Sequence, residues 1–213
     1  EGLNILAEHY QYERLFAEEL LKSISSNKFS YYFTESTETV QPQYIDKNWK
    51  VFDLSDTLTH FLDEKSVSEK ENVDSTKKIA KPYCFIISRL RHYLKEMAIV
   101  PEMDKKIALS TEYLVFHSKR DIDTHFLLPF CLSKHVQKIL KWAQTGNEHP
   151  RFSNKTLQNL YIPDKIIENS NHFKELVNKA ISLRNQSHSL YTQATQLLEE
   201  ALGLDKIEFK REK

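Results

Sequence analysis

The chain has 213 residues, 40% hydrophobic and 28% charged, enough for one sizeable core and short of two full domains. Three glycines (Gly2, Gly146, Gly203) exclude any glycine-rich phosphate loop, and two cysteines (Cys84, Cys131) exclude a disulfide framework or an all-cysteine zinc site. The formal net charge is zero but unevenly spread: residues 1–74 carry 7 Lys/Arg against 15 Asp/Glu, residues 77–120 carry 10 against 4, and residues 134–155 carry 5 against 1.

Leu3, Leu6, Ala7, Tyr10, Leu15, Ala17, Leu20 and Leu21 recur at helical spacing, which predicts an amphipathic helix over 3–24, stopped by Ser25-Ser26-Asn27. Residues 29–50, rich in Tyr, Phe and Thr and containing Pro42, suit short strands and loops. Residues 51–54 lead into a helical turn over 55–62 with Ser55 as its N-cap. The Glu, Lys, Ser and Asn of 63–74 read as a surface loop. Residues 83–91 are apolar and then basic, a buried strand passing into a loop; 98–101 and 114–116 are two more short strands. Asp123 stands where it would cap a helix from Thr124, with 126–132 and 136–142 in helical register up to Gly146. A polar loop, 147–153, then precedes 157–162, which Pro163 closes.

Phe173, Leu176, Ala180, Leu183, Ser187, Leu190, Ala194, Leu197 and Ala201 alternate three and four residues apart. This is a heptad-like seam, widened by Val177, Tyr191, Leu198 and Leu202 and stopped by Gly203. A helix over 170–202 is about 50 Å long at 1.5 Å per residue. That exceeds the width of a domain of this size, so the helix is expected to project and to bury its seam against a second helix. The alternative is a helix lying across its own domain.

No catalytic constellation emerges. There is no GxSxG elbow and no HExxH pair, and the nine histidines lack ligand spacing. Asp121 and Asp123 precede a helix and read as caps. No run of about 18 apolar residues and no basic-then-apolar leader is present, which predicts a cytoplasmic protein with no membrane partner. The first residue is Glu1, as in a piece of a longer chain.

Three ordered segments carry a family resemblance. The first is Ile87-Ser88-Arg89-Leu90-Arg91-His92-Tyr93-Leu94-Lys95, with Ala98-Ile99-Val100-Pro101 and Ser110-Thr111-Glu112-Tyr113-Leu114-Val115 after it. The second is Gly146-Asn147-Glu148-His149-Pro150-Arg151-Phe152-Ser153, followed by Leu157-Gln158-Asn159-Leu160-Tyr161-Ile162-Pro163. The third is the end of the long helix, from Tyr191 to Leu204. Together, over about residues 79–204, they resemble the specificity (DNA-recognition) subunit of type I restriction–modification systems. Its "LISR", "AIVP", P-R-[LIF]-S and L-x-x-L-x-I-P pieces occur in the same order. The chain departs from that pattern in its Lys81-Pro82-Tyr83-Cys84 turn, where the family has Gly-Asp. It also has one recognition domain and one spacer helix instead of two of each, and an added N-terminal helix.

The resemblance implies an α/β (α+β) fold: a target-recognition domain with a small twisted, irregular sheet and short helices, then a long protruding spacer helix. The expected divisions are an N-terminal helix of unassigned role at 1–28, the recognition domain at 29–165, the coiled-coil spacer at 166–204 and a polar tail at 205–213. It implies a non-catalytic subunit without cofactor or metal. Such a subunit reads double-stranded DNA in the major groove and positions the DNA adenine methyltransferase (modification) subunits and the restriction subunit. Its spacer would pair antiparallel with a second spacer helix, in a homodimer or in the other half of a longer chain, through Leu176, Ala180, Leu183, Leu190, Ala194 and Leu197.

Base readout needs bidentate donors, and phosphate contacts set the register. The loops of the cationic middle supply both: Arg89, Arg91, Tyr93 and Lys95; Ser110 and Thr111; Arg151, Ser153, Asn154 and Lys155. Arg89, Arg91 and Arg151 lead this set. Each of the three equally suits a surface ion pair or a loop anchor, and Pro150-Arg151 could hold the domain against the spacer. Two other readings stay open: a recognition-domain fragment of a single-chain restriction–methylation enzyme, and a helical scaffold that dimerises without binding DNA.

Overall fold

The computed structural model describes residues 11–62 and 73–203. The start of the helix expected at 3–24, most of the loop expected at 63–74 and the polar tail at 205–213 lie outside the described residues. The chain divides into two units, the first ending at Lys174 and the second beginning at Glu175.

From the N-terminal side the first unit contains helix α1 (Tyr12–Ser23), strand β1 (Asn27–Lys28), the one-turn helix α2 (Phe29–Tyr32) and strands β2 (Phe33–Ser36), β3 (Thr39–Val40) and β4 (Trp49–Phe52). Strands β5 (Lys77–Ala80), β6 (Phe85–Ser88), β7 (Met97–Ile99), β8 (Lys106–Leu109) and β9 (Tyr113–Ser118) follow. Helices α3 (Leu127–Leu132), α4 (Lys134–Trp142) and α5 (Asn154–Gln158), strand β10 (Tyr161–Ile162) and helix α6 (Asp164–Glu168) complete it, before α7 (Ser170–Leu202) begins.

Two four-stranded sheets form the body. One is antiparallel, in the order β2-β9-β6-β7; the other runs β3-β5-β8-β4, with β4 parallel to β8. Side chains alternate across a strand, so β9 sends Tyr113 and Val115 one way and Leu114 and Phe116 the other. Tyr113, Val115 and Ile86 pack with Phe52, Ala80, Ile107 and Leu109 in one buried cluster that joins the two sheets. On the opposite face Phe116 meets Phe29 edge-on at 4.8 Å, and Phe33 meets Phe126 at 5.8 Å. Strands buried on both faces read as continuous apolar runs, which explains the Phe85-Ile86-Ile87 and Leu114-Val115-Phe116 patterns. Full burial of one such phenylalanine contributes about 1.5–3 kcal/mol. The β1–β10 pair, registered Asn27↔Ile162, joins the two ends of this unit, and α1 packs on α4.

Several local expectations are corrected. The turn after β4 is a short 3-10 helix, Leu54–Thr57, capped by Asp53 and not by Ser55. Asp53 and Asp56 have the spacing of a reciprocal capping box, and the Asp53 N–H donates to Asp56 Oδ2 at 2.7 Å. Asp123 does not cap a helix: α3 starts at Leu127, because the Asp123 carboxylate is taken by the His125 N–H (2.8 Å), the His125 ring (2.5 Å) and Lys174 Nζ (2.9 Å). The stretch 126–142 breaks at Ser133, which is extended and whose hydroxyl accepts from the Val136 N–H to start α4. That helix ends at Trp142, and Gly146 (φ 96°) instead opens the following loop in a conformation glycine takes easily.

The second unit is the body of α7, a single 33-residue helix counted from Ser170. Among the described residues from 175 onward only Val177 is buried; Leu176, Leu183 (54% exposed), Leu190 (64%) and Leu197 are open. Gly203 follows with φ 66°, the left-handed stop expected at this helix end.

Candidate nucleic-acid interface

Three chain segments meet at the end of β6. Beyond Ser88 the backbone turns tightly, with the Leu90 N–H donating to Ser88 Oγ at 3.2 Å. The Arg89 N–H donates to the Glu112 carbonyl (3.1 Å), and the Arg89 carbonyl accepts from the Phe152 N–H (3.1 Å). The Arg91 N–H donates to the Pro150 carbonyl at 3.0 Å, while Thr145 and Arg151 exchange two backbone hydrogen bonds of 2.9 Å. Buried Phe152 fixes this loop from beneath. The loops at 89–95 and 145–153 therefore lie side by side, with 110–112 beside them.

Glu112 is the shared anchor. Arg151 Nη2 reaches Oε1 at 2.7 Å and its Nε reaches Oε2 at 3.0 Å, while Arg89 Nε reaches Oε2 at 3.0 Å. The Arg151 hydrogen bonds hold the Glu112 carboxyl below its ordinary range; partial burial opposes this and Arg89 adds to it. Two guanidiniums on one carboxylate leave a net positive centre. The terminal nitrogens of Arg89 make no hydrogen bond among the described residues.

The other candidate residues fall into place around this anchor. Arg91 Nη2 lies 3.3 Å from His149 Nδ1 on the surface. Tyr93 and Lys95 stand exposed on the 3-10 turn His92–Leu94 and just past it. Ser110 Oγ accepts the Glu112 N–H at 3.3 Å, and Thr111 is exposed. Ser153 is the N-cap of α5, its hydroxyl accepting from the Lys155 N–H at 3.1 Å. Asn154 donates to Glu35 on β2 at 2.9 Å, so that amide is occupied by the sheet. Lys155 is exposed and, with Arg14 and Lys22 of α1 and Lys28, lines an open cleft of about 720 Å³.

Sequence reasoning missed Glu112, the His92–Gln144 hydrogen bond (2.8 Å) and the wall that α1 gives that cleft, where Glu18 and Glu19 pair with Arg14 and Lys22. One signal existed for Glu112: it is the only acidic residue between Lys105 and Arg120. Burial pushes His92 toward its neutral form and raises the pKa of Glu96, a buried carboxyl behind the loop whose Oε2 has no hydrogen-bond partner among the described residues. Among the described residues no group of three or more His, Cys, Asp or Glu side chains could hold a metal ion, and no helix is long and apolar enough to cross a membrane.

No family model matches the chain, and no curated protein does. Solved structures do. The HsdS subunit from Thermoanaerobacter tengcongensis is 16% identical over 86% of this chain and 46% of that one, with a TM-score of 0.46. A chain from a structure of complex assembly and conformational transition in the type I R-M system is 16% identical over 91% of this chain and 50% of that one, with a TM-score of 0.48. The chain spans about half the length of each of these two.

Proposed function

We propose that this chain reads double-stranded DNA sequence as one half of the specificity subunit of a type I restriction–modification system. On this reading residues 29–165 are the recognition domain, 166–204 the spacer, and the place of action the cytoplasm. The methyltransferase and restriction subunits supply the chemistry, and this chain places them on their target.

The observation that carries the reading is the joining of two family-like segments, Ile87 to Lys95 and Gly146 to Ser153, into one surface through Glu112. Exposed cations stand along that surface, and a local cationic field is what phosphate attraction requires.

The α7 seam supports a paired spacer. Outward from Ser187 it reads Leu183, Ala180, Leu176 in one direction and Leu190, Ala194, Leu197 in the other. A two-fold axis at Ser187 would set like residues against each other in two antiparallel copies. Lys174 would then lie opposite the partner's Glu200. Selection of duplexes from a randomised pool tests the DNA reading: enrichment of one sequence is expected, and a pool that stays random contradicts it.

A further inference from the structure

The β6–β7 connection carries two left-handed residues that are not glycine. Arg91 (φ 48°, ψ 61°) and Lys95 (φ 53°, ψ 38°) bracket the 3-10 turn His92–Leu94. Side-chain sterics disfavour this conformation, which persists only where the surroundings over-determine it. Here they do. The Leu94 and Lys95 N–H groups donate to the Arg91 and His92 carbonyls at 2.8 and 2.9 Å. The His92 ring is held by Gln144, whose own amide donates to the Pro150 carbonyl at 3.3 Å.

At the centre of this clamped turn Tyr93 is 59% exposed. Its ring stands edge-on to His92, 5.9 Å between centroids, and its hydroxyl makes no hydrogen bond among the described residues. A single exposed tyrosine on a mobile surface needs no explanation. One held rigid in a doubly left-handed turn, with a cation two residues away on either side, does.

We infer that Tyr93 is a specificity-determining residue whose ring meets the C5-methyl group of a thymine in the major groove. The inference rests on the DNA-reading function proposed above. The thymine methyl is the apolar group that base edges present in that groove, and an open ring face is its complement. Arg91 and Lys95 on either side are placed for phosphate, which fixes the register of the ring. A ring carried on a backbone already clamped leaves less freedom to be lost on contact.

The test uses the 213-residue chain and a duplex selected from a randomised pool, with each thymine replaced in turn by uracil, which lacks only the methyl group. The wild type is expected to lose about fivefold in affinity at one thymine. Tyr93→Ala should show no loss at that position and a smaller preference for the selected over the random duplex, with an unaltered circular dichroism spectrum; Tyr93→Phe should retain the loss. Three results would overturn the inference: no thymine is sensitive in a selectively binding wild type, Tyr93→Ala keeps the uracil penalty, or Tyr93→Ala weakens selected and random duplex equally. A wild type with no preferred duplex would instead overturn the DNA reading beneath it.

Discussion

Arg151 lies along the Glu112 carboxylate with Nη2 2.7 Å from Oε1 and Nε 3.0 Å from Oε2, across 39 positions of sequence. Arg89 takes the same carboxylate from the other loop at 3.0 Å. One acidic side chain thus holds two cationic loops in register with each other. It does so within the first unit, so Arg151 serves there as a loop anchor, one of the roles its sequence left open.

Replacing Glu112 by Ala should loosen the side-chain tie between the two loops while the backbone hydrogen bonds between them remain. The three side chains are partly exposed, so solvent screening limits the loss to about 1 kcal/mol. That corresponds to a fall in melting temperature of about 2–4 °C for a chain of this length. Duplex affinity should fall as well, and Arg151→Lys should not preserve it, because lysine lacks the planar fork. Unchanged melting and unchanged binding in Glu112→Ala would remove Glu112 from its anchoring role.

Asp123 offers a pH test. Burial alone would raise its pKa, but hydrogen bonds from His125 and Lys174 prevail and hold it well below the usual carboxylate range. A depressed folded pKa gives stability that is fully present above the unfolded value, about 3.9, and is lost as pH falls through the folded value. The gap in melting temperature between wild type and Asp123→Asn should therefore be widest near neutral pH and narrow below about pH 4. A gap that stays constant down to strongly acid pH would show that the ionised carboxylate is not what stabilises this corner.

Much of the fold was legible because burial on both faces leaves unmistakable apolar runs, as at Phe85-Ile86-Ile87 and Leu114-Val115-Phe116. The long helix was legible because its seam keeps one period to Gly203. Local starts were less so. Ser55 and Asp53 are both good caps, and only the partner three residues on, Asp56, decides between them. Asp123 looked like a cap until His125 and Lys174 claimed its carboxylate, contacts no local pattern encodes. For the same reason Asn154 was legible as a polar loop residue, but its partner Glu35, 119 positions away, comes from folding.

The seam predicts self-association. Leu183 and Leu190 are exposed and stand on either side of Ser187. Changing both to Lys places charge in an apolar contact and should cost several kcal/mol of pairing, about 3 or more. Sedimentation should then show a monomer where the wild type forms a dimer. A dimer that survives both changes would place the interface elsewhere.

Lys95 and Lys155 are exposed and make no ion pair among the described residues. Each, changed to Ala, should lower the slope of log affinity against log salt by about 1, equally for all duplex sequences. Arg91→Ala should also weaken duplex binding. Slopes unchanged in all three variants would move the phosphate contacts off this surface.

The central claim is that this chain reads duplex sequence, and a salt titration of competing duplexes tests it most directly. Affinities for a selected duplex and for a scrambled duplex of equal length and composition are measured side by side. The selected duplex should bind about 1,000-fold tighter or more, and both affinities should fall linearly on logarithmic axes as salt rises. Equal affinity for the two duplexes, or binding indifferent to salt, would contradict the claim.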